Sequence, residues 1–206
     1  MLTTVPQILD FCKQEYRISN TGDDDYLRSL ISLAYLNRAK KLPWKETIVQ
    51  NAAFTTATST QFYATSTDFS RLVPNSVRYG VTSTSTGCFL PVVPFEQYEY
   101  FRGSQTSSDP GFATVVGNGG STSGKRLMLF PSFTNSGSVV NYDYYAQPSS
   151  LSSSASLTVP GLGYTVAYDV LATWAMHVKD TEGQDRYKAM ARESWSSAFQ
   201  EVLPTP

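Results

Sequence analysis

Few side chains in this sequence are suited to acid–base chemistry. His177 is the single histidine among 206 residues, so a serine–histidine hydrolase would have to use it as the general base. No Gly-x-Ser-x-Gly elbow accompanies it. Glu96 and Glu99 lie three residues apart and could pair two carboxylates, but this spacing is more typical of the solvated face of a helix. We therefore interpret His177 as a structural or surface residue, and we predict no enzyme and no catalytic residues.

One segment has the outline of a phosphate-binding loop. Residues 119–126 read Gly-Gly-Ser-Thr-Ser-Gly-Lys-Arg, which matches Gly-x4-Gly-Lys but puts Arg126 where magnesium needs a Ser or Thr. Such a loop must also begin a helix, whereas Arg126–Phe130 is a strand-like run that ends at Pro131. We interpret the segment as the tip of a hairpin and predict no bound cofactor.

The cysteines indicate neither a disulfide scaffold nor a zinc site. Cys12 and Cys88 are the two present, too few for a disulfide-stabilised fold, although a single disulfide between them stays open. Cys12 lies on an apolar helix face and Cys88 precedes Phe89 and Leu90, so we predict two buried thiols. With one histidine, they cannot complete a four-ligand zinc site without carboxylates. No metal site is predicted.

The composition excludes a protein that binds nucleic acid mainly through a large excess of basic residues. Lys and Arg number 16 and Asp and Glu 17, and 16% of residues are charged, where about 25% is usual. Residues 51–165 hold only 10 of the 33 charged side chains. The chain contains 26 Ser and 22 Thr, yet 41% of its residues are apolar. This is not the composition of an intrinsically disordered protein. We find no signal peptide and no bilayer-spanning stretch, and we expect cytoplasmic synthesis and no membrane partner.

Apolar residues at helical spacing predict two helices near each end of the chain. A capping-box pattern at Thr4 and Gln7 begins the first helix, and Asp23–Asp25 face the positive dipole end of the second. A break is predicted at Thr181–Gln184, between the third helix and the fourth. The four predicted helices cover about residues 5–17, 23–41, 160–178 and 187–202.

The middle of the chain has the alternation and turn residues of antiparallel β-structure, in a small sandwich or barrel-like sheet. Val140, Tyr142 and Tyr144 share one face of the last strand. Phe95–Phe101 could form one short helix. The predicted strands are Thr58–Tyr63, Val77–Ser83, Phe112–Val116, Arg126–Phe130 and Ser138–Ala146.

These elements predict an α+β fold. The simplest arrangement is a four-helix bundle made from the N- and C-terminal helix pairs, with an antiparallel β-rich unit inserted between them. The predicted boundaries are 1–50, 51–160 and 161–206. Because a surface with little charge allows close approach of copies, and Ser, Thr and Tyr suit subunit contacts, the neutral middle favours assembly over an isolated β domain.

The order of elements resembles the head-to-tail adaptor proteins (connector or head-completion proteins) of tailed bacteriophages, especially short-tailed ones. The likeness spans nearly the whole chain, to the helices between Tyr164 and Phe199. Departures are the serine-rich Ser149–Ser156 connector and a short C-terminal tail, Pro204-Thr205-Pro206. The segments that carry the likeness are TTVPQILDFC from Thr3, Asp68–Leu72, Pro94–Tyr98, Leu127–Pro131 and Val140–Tyr145.

The resemblance implies a virion structural protein in the neck of the particle. It implies a homo-oligomeric ring, a dodecamer, between the portal protein and a tail or nozzle protein, which extends the channel through which DNA passes without sequence-specific binding. It also implies that the bundle forms the ring body and that the β unit contacts neighbours or the tail. Trp44, Tyr142, Tyr144 and Tyr145 are the candidate interface residues, although aromatics at such spacings also pack inside proteins.

Two other classes stay open. A tail terminator, tail-tube or other neck protein would share the β-rich middle, but paired terminal helices favour an adaptor over a tube protein. A ligand-binding β module, for instance for carbohydrate, would be a monomer with clustered exposed aromatic residues.

Overall fold

The fold is α+β, as predicted, and it divides into two compact units. A computed structural model describes residues 1–80, 87–98, 100, 110–117, 124–133 and 136–200. The helical unit comprises Met1–Thr47 and Pro148–Pro206, and the β unit comprises Ile48–Gln147. Among the described residues, the helical unit contains four α-helices and the β unit is built mainly of antiparallel strands.

The helices of the helical unit begin where the sequence predicts. The backbone N–H of Gln7 donates to the Thr4 hydroxyl, and the Gln7 side chain accepts from the Thr4 backbone, which confirms the capping box. Asp24 and Asp25 lie in the first turn of the second helix, as the helix dipole favours. The helices are α1 (Val5–Tyr16), α2 (Asp24–Ala39), α3 (Gly163–His177) and α4 (Thr181–Gln200).

The turn between α3 and α4 corrects one prediction. Thr181–Gln184 is the first turn of α4 rather than a break. The chain reverses at Lys179, whose φ is 61°, and Asp180 then accepts at Oδ1 from the backbone N–H of Gly183 at 2.8 Å. Because the aspartate satisfies a backbone donor that a helix start leaves free, α4 can begin immediately after the reversal.

α3 is the central helix of the helical unit. It packs against α1, α2 and α4, and nine of its residues are buried. All four helices contribute to one apolar core. Its members include Ile8, Leu9, Cys12, Leu27, Ile31, Tyr35, Val166, Val170, Leu171, Tyr187 and Ala198.

The serine-rich connector is anchored to the helical unit. Its backbone pairs antiparallel with the residues before α1, through a bridge between Thr4 and Ser156. On its other side, the Leu151 N–H donates to the Ser32 hydroxyl of α2 at 3.0 Å. The segment 149–156 is therefore part of the packed structure.

The first residues of the chain also pass very close to α3. A Cβ atom added to Gly163 would lie 1.8 Å from the carbonyl oxygen of Leu2. Such a distance is far inside van der Waals contact, so the start of α3 requires glycine for this close approach.

Two antiparallel sheets form the β unit. The larger has the order β1–β8–β4–β5, with β3 also paired to β8, and the smaller has the order β2–β7–β6. Phe54 of β1 stacks on Tyr63 of β2 at 4.3 Å between ring centroids, and both sheets contribute to one core, as in a small sandwich. The strands are β1 (Ile48–Thr55), β2 (Phe62–Ala64), β3 (Phe69–Leu72), β4 (Arg78–Tyr79), β5 (Cys88–Phe89), β6 (Phe112–Gly117), β7 (Lys125–Phe130) and β8 (Val139–Ala146).

β8 is the central strand of the larger sheet. β1 pairs along one edge, and β3 and β4 pair in succession along the other. Val140, Tyr142 and Tyr144 are buried, which confirms the predicted alternation of this strand.

Asp143 binds the irregular points of the strands on both sides of β8. Its Oδ1 accepts from the backbone N–H of Asn51 at 2.8 Å, where β1 has a bulge and Asn51 has a φ of 56°. Its backbone carbonyl accepts from the Ser76 hydroxyl at 2.9 Å, between β3 and β4. Asp143 thus holds the β1 bulge on one side of β8 and the connection between β3 and β4 on the other.

Three predicted elements differ from the structure. The strand expected over Thr58–Tyr63 begins only at Phe62, because Ser59 has a φ of 58° and the Thr60 N–H donates to the Ala57 carbonyl in a turn. Of Val77–Ser83, Arg78 and Tyr79 form a strand, and residues 81–86 lie outside the described part of the chain. The helix expected over 95–101 begins as a 3-10 turn at Phe95–Gln97, and Tyr98 and Tyr100 are α-helical; residues 99 and 101 lie outside the described part.

Candidate assembly surfaces

The described acid–base candidates belong to different units, His177 to the helical unit and Glu96 to the β unit. His177 is exposed at the end of α3, where its ring centroid lies 5.6 Å from those of both Tyr26 and Trp174. Glu96 is exposed in the turn after Pro94, and Glu99 lies outside the described residues. Within the described ranges, no three His, Cys, Asp or Glu side chains are grouped so that they could hold a metal ion.

The lysine of the Gly-Lys segment is used inside the fold. Lys125 begins β7, which pairs antiparallel with β6 at Gly117, so a strand rather than a helix follows the segment. The ammonium group of Lys125 donates to the carbonyl oxygen of Ser70 and lies 5.8 Å from the ring centroid of Phe69. The flanking strands form the predicted hairpin; its tip, 118–123, lies outside the described part of the chain.

The two thiols have opposite environments. Cys12 is fully buried, and burial raises the pKa of its thiol to about 12. Cys88 is exposed on the short edge strand β5, so the prediction that both thiols are buried is wrong for Cys88. That prediction depended on the apolar neighbours Phe89 and Leu90. Only Leu90 is buried, and Phe89 is exposed like Cys88. Both cysteines are free.

The four aromatic candidates lie in different surroundings. Trp44 is 3% exposed and packs edge-on against Trp195 at 5.9 Å. Tyr142 and Tyr144 are 4% exposed each in the β core. Tyr145, on the opposite face of β8, is half-buried under the guanidinium group of Arg71, at 5.5 Å. Tyr145 therefore has the most side-chain surface left for a neighbour, and contact of any of the four with another subunit stays a prediction.

A groove between α2, α3 and α4 carries exposed apolar surface that the sequence did not reveal. It has a volume of about 470 Å³. Leu33 and Met176, 56% and 59% exposed, line it, and exposed apolar patches often mark interaction sites. The exposed Lys41 and Lys188 also line it. We call this surface the basic groove.

A bidentate ion pair lines the wall of the basic groove. Arg38 donates to both oxygens of Asp169, at 2.6 and 2.7 Å, and its guanidinium group lies 5.0 Å from the ring centroid of Trp195. The hydrogen bonds with Asp169 raise the pKa of Arg38. Three helices are therefore tied together beneath the groove.

A second surface lies on α1, α3 and α4 and carries aromatic rings with carboxylates. Phe11 contacts the rings of Tyr164 and Tyr168 edge-on, at 5.8 and 5.9 Å. Tyr164 is 41% exposed, and Glu193 is exposed on the α4 side of this cleft of about 400 Å³. Burial, together with the negative charges of Glu15 and Glu193, raises the pKa of Tyr168. We call this surface the acidic cleft.

A tyrosine–aspartate contact joins the end of α1 to the start of α4. The Tyr16 hydroxyl donates to Oδ2 of Asp180, the residue that caps α4. Burial, followed by this hydrogen bond, raises the pKa of Tyr16 to about 12. The same hydrogen bond and the backbone N–H of Gly183 lower the pKa of Asp180. The contact fixes the α3–α4 turn against α1.

A protein-family model matches nearly the whole chain. The family model described as SU10 adaptor protein matches residues 3–205, a range that includes all the helices and strands given above. No curated protein matches the sequence. Across the described ranges, no helix combines the length and apolar character needed to cross a bilayer.

Proposed function

This chain belongs to the SU10 adaptor protein family, a family of phage head-to-tail adaptors, and we propose that it forms the ring that joins the portal vertex to the tail. The observation that carries the proposal is the family match over residues 3–205. Phage adaptors are structural proteins of the virion neck, and the proposed partners are further copies of this chain, the portal protein and a tail or nozzle protein.

The proposed ring is a closed, heterologous assembly, in keeping with the dodecamer that the resemblance implies. Each copy would contact its two neighbours through two different surfaces, and such contacts close only if the rotation between copies is right. The ring would extend the DNA channel. The near balance of 16 basic and 17 acidic residues suits this role, because a strongly basic wall would bind the passing duplex.

The helical unit is proposed as the ring body. Its single core, shared by α1 to α4, supports their arrangement as a four-helix bundle. The β unit, proposed to be the insertion between the helix pairs, would face neighbours or the tail. Tyr145 supports this orientation best among the four aromatic candidates, since Trp44, Tyr142 and Tyr144 are buried.

We propose no enzyme activity for this chain. Family membership supports a structural role, and Lys125, the residue nearest to a known catalytic motif, binds the Ser70 carbonyl. The same membership favours the adaptor over a tail-tube protein or a ligand-binding β module.

Native mass measurement and particle imaging test the ring. The purified chain would be measured alone and after mixing with portal rings, with portal rings alone as the control. We expect a closed ring, either free or formed on the portal. A chain that stays monomeric in both conditions would overturn the proposal.

A further inference from the structure

We propose that neighbouring copies associate through their helical units, with the acidic cleft of one copy seated on the basic groove of the next. The inference rests on the proposed ring and names the two surfaces that would form it. It commits to a second copy of this chain as the occupant of both surfaces.

The two surfaces have complementary charges. Lys41 and Lys188 are exposed at the groove, whereas the charge of the third groove cation, Arg38, is neutralised by Asp169. Glu193 lines the cleft, and Glu15 lies close enough to Tyr168 to act on it electrostatically. Glu15 also accepts from the Tyr187 hydroxyl at 3.4 Å, so Glu193 is the carboxylate best placed for a neighbour. Placing the cleft over the groove would pair Glu193 with a groove lysine, and such complementary charges select partner and register.

The apolar parts also match. The groove presents Leu33 and Met176, which have no cover within the described helical unit over more than half of their surface. The cleft presents the half-exposed Tyr164 and is also lined by the partly buried Met190. Tyrosine is favoured at protein interfaces because its ring buries a large apolar area while its hydroxyl can stay wet. The groove volume of about 470 Å³ leaves room for such a ring.

The surfaces lie on different sides of α4, as a ring requires. Gln184 and Lys188 line the groove, while Met190, Glu193 and Ser197 line the cleft. At about 100° per residue, Lys188 and Glu193 point about 140° apart around the helix axis. One copy can therefore offer its groove to one neighbour and its cleft to the other, which is the heterologous arrangement that closes into rings.

Charge reversal tests the pairing directly. Lys188→Glu and Glu193→Lys would each be compared with the wild type by native mass measurement over a range of concentrations, alone and on portal rings. Arg17→Glu and Glu46→Lys are the matched controls, since both side chains are exposed and line neither surface. Each test variant should raise the concentration needed for ring formation by about tenfold or more, because like charges would then face each other, and the controls should not.

The two variants together provide the decisive measurement. A mixture of Lys188→Glu with Glu193→Lys, or one chain with both changes, restores an opposite-charge pair at every contact and should restore ring formation. Rings that form equally well with the single variants overturn this inference and leave the ring intact. Failure of the combined changes to restore a ring lost in the singles also overturns it. A wild-type chain that forms no ring in either condition overturns the proposed function and this inference together.

Discussion

The helical and β units use their charged side chains differently. In the helical unit, Lys13 pairs with Asp24 at 2.7 Å and Arg38 with Asp169 at 2.6 Å, so ion pairs join one helix to another. In the described part of the β unit, the corresponding pair is Arg78 with Asp143, at 3.9 Å, too long for a hydrogen bond.

The few charged groups of the β unit instead bind neutral partners. Asp68 accepts from the hydroxyls of Ser66 and Tyr144, Asp143 accepts from a backbone N–H, and Arg71 covers the ring of Tyr145. These contacts tie the three charged side chains to groups of their own unit rather than to an opposite charge. The exposed charges of the helical unit include Lys41, Lys188 and Glu193, and the β unit offers hydroxyls, amides and rings beside its exposed Arg71 and Glu96.

The largest expected effect tests how tightly the helical unit is packed. Gly163→Ala would place a Cβ against the Leu2 carbonyl, so the N-terminal residues or α3 must move, at a cost of about 3 kcal/mol in the free energy of unfolding. Urea unfolding followed by circular dichroism measures it. Gly117→Ala in the β unit is the control, because nothing lies within 4 Å of the added atom. Equal losses in both variants would contradict the difference in packing.

The ion pairs give the next effect. Arg38→Lys keeps the charge but loses the bidentate contact with Asp169 and the stacking on Trp195, and we expect a loss of about 1–2 kcal/mol. Arg78→Lys in the β unit should change the free energy of unfolding by less than about 0.5 kcal/mol. A larger loss for Arg78→Lys would show that the two units do not differ in their use of ion pairs.

A smaller effect concerns acid stability in the β unit. Burial alone would raise the pKa of Asp68, but hydrogen bonds from Ser66 and Tyr144 outweigh it and lower the pKa below 3.8. Because the pKa of Asp68 is lower in the folded state, its ionised carboxylate stabilises the fold above pH 3.8. This stabilisation is lost as the pH falls through the lower pKa of the folded state. Tyr144→Phe should cost about 1 kcal/mol at pH 7, with a smaller further loss in acid than the wild type. An unchanged acid limb of the stability curve would disprove the role of the Tyr144 hydroxyl.

The corresponding tyrosine–aspartate contact of the helical unit acts at the alkaline end of the stability curve. The pKa of Tyr16 is raised to about 12 in the folded protein. The protonated hydroxyl therefore stabilises the fold fully below pH 10, the ordinary pKa of tyrosine, and this stabilisation is lost as the pH rises from 10 to 12. Tyr16→Phe should remove this part of the alkaline decline in melting temperature. An alkaline decline identical to that of the wild type would contradict this role of Tyr16.

Regular periodicity made the helices and β8 predictable, and local backbone irregularity hid the rest. The sequence does not predict β1. The bulge at Asn51 shifts the register of this strand between Val49 and Ala52, so the apolar residues of β1 do not alternate along the sequence. Cys88 was placed inside because a two-residue edge strand has no period to read. The basic groove could not be found from sequence, because Leu33, Met176 and Lys188 come together only when three helices pack. Leu33, an apolar residue of α2 that lies outside the core, does not by itself locate the groove.

The pairing of β1 with β8 brings the two ends of the β unit together. Ile48 and Tyr145 are partners across the ladder, so the β unit is entered and left within about 5.5 Å, the spacing of paired strands. A segment whose two ends meet adds little loop-closure cost to the polypeptide that carries it. We therefore expect that the β unit can be exchanged for another segment whose ends are also adjacent, with a different surface, while the helical sequence stays the same.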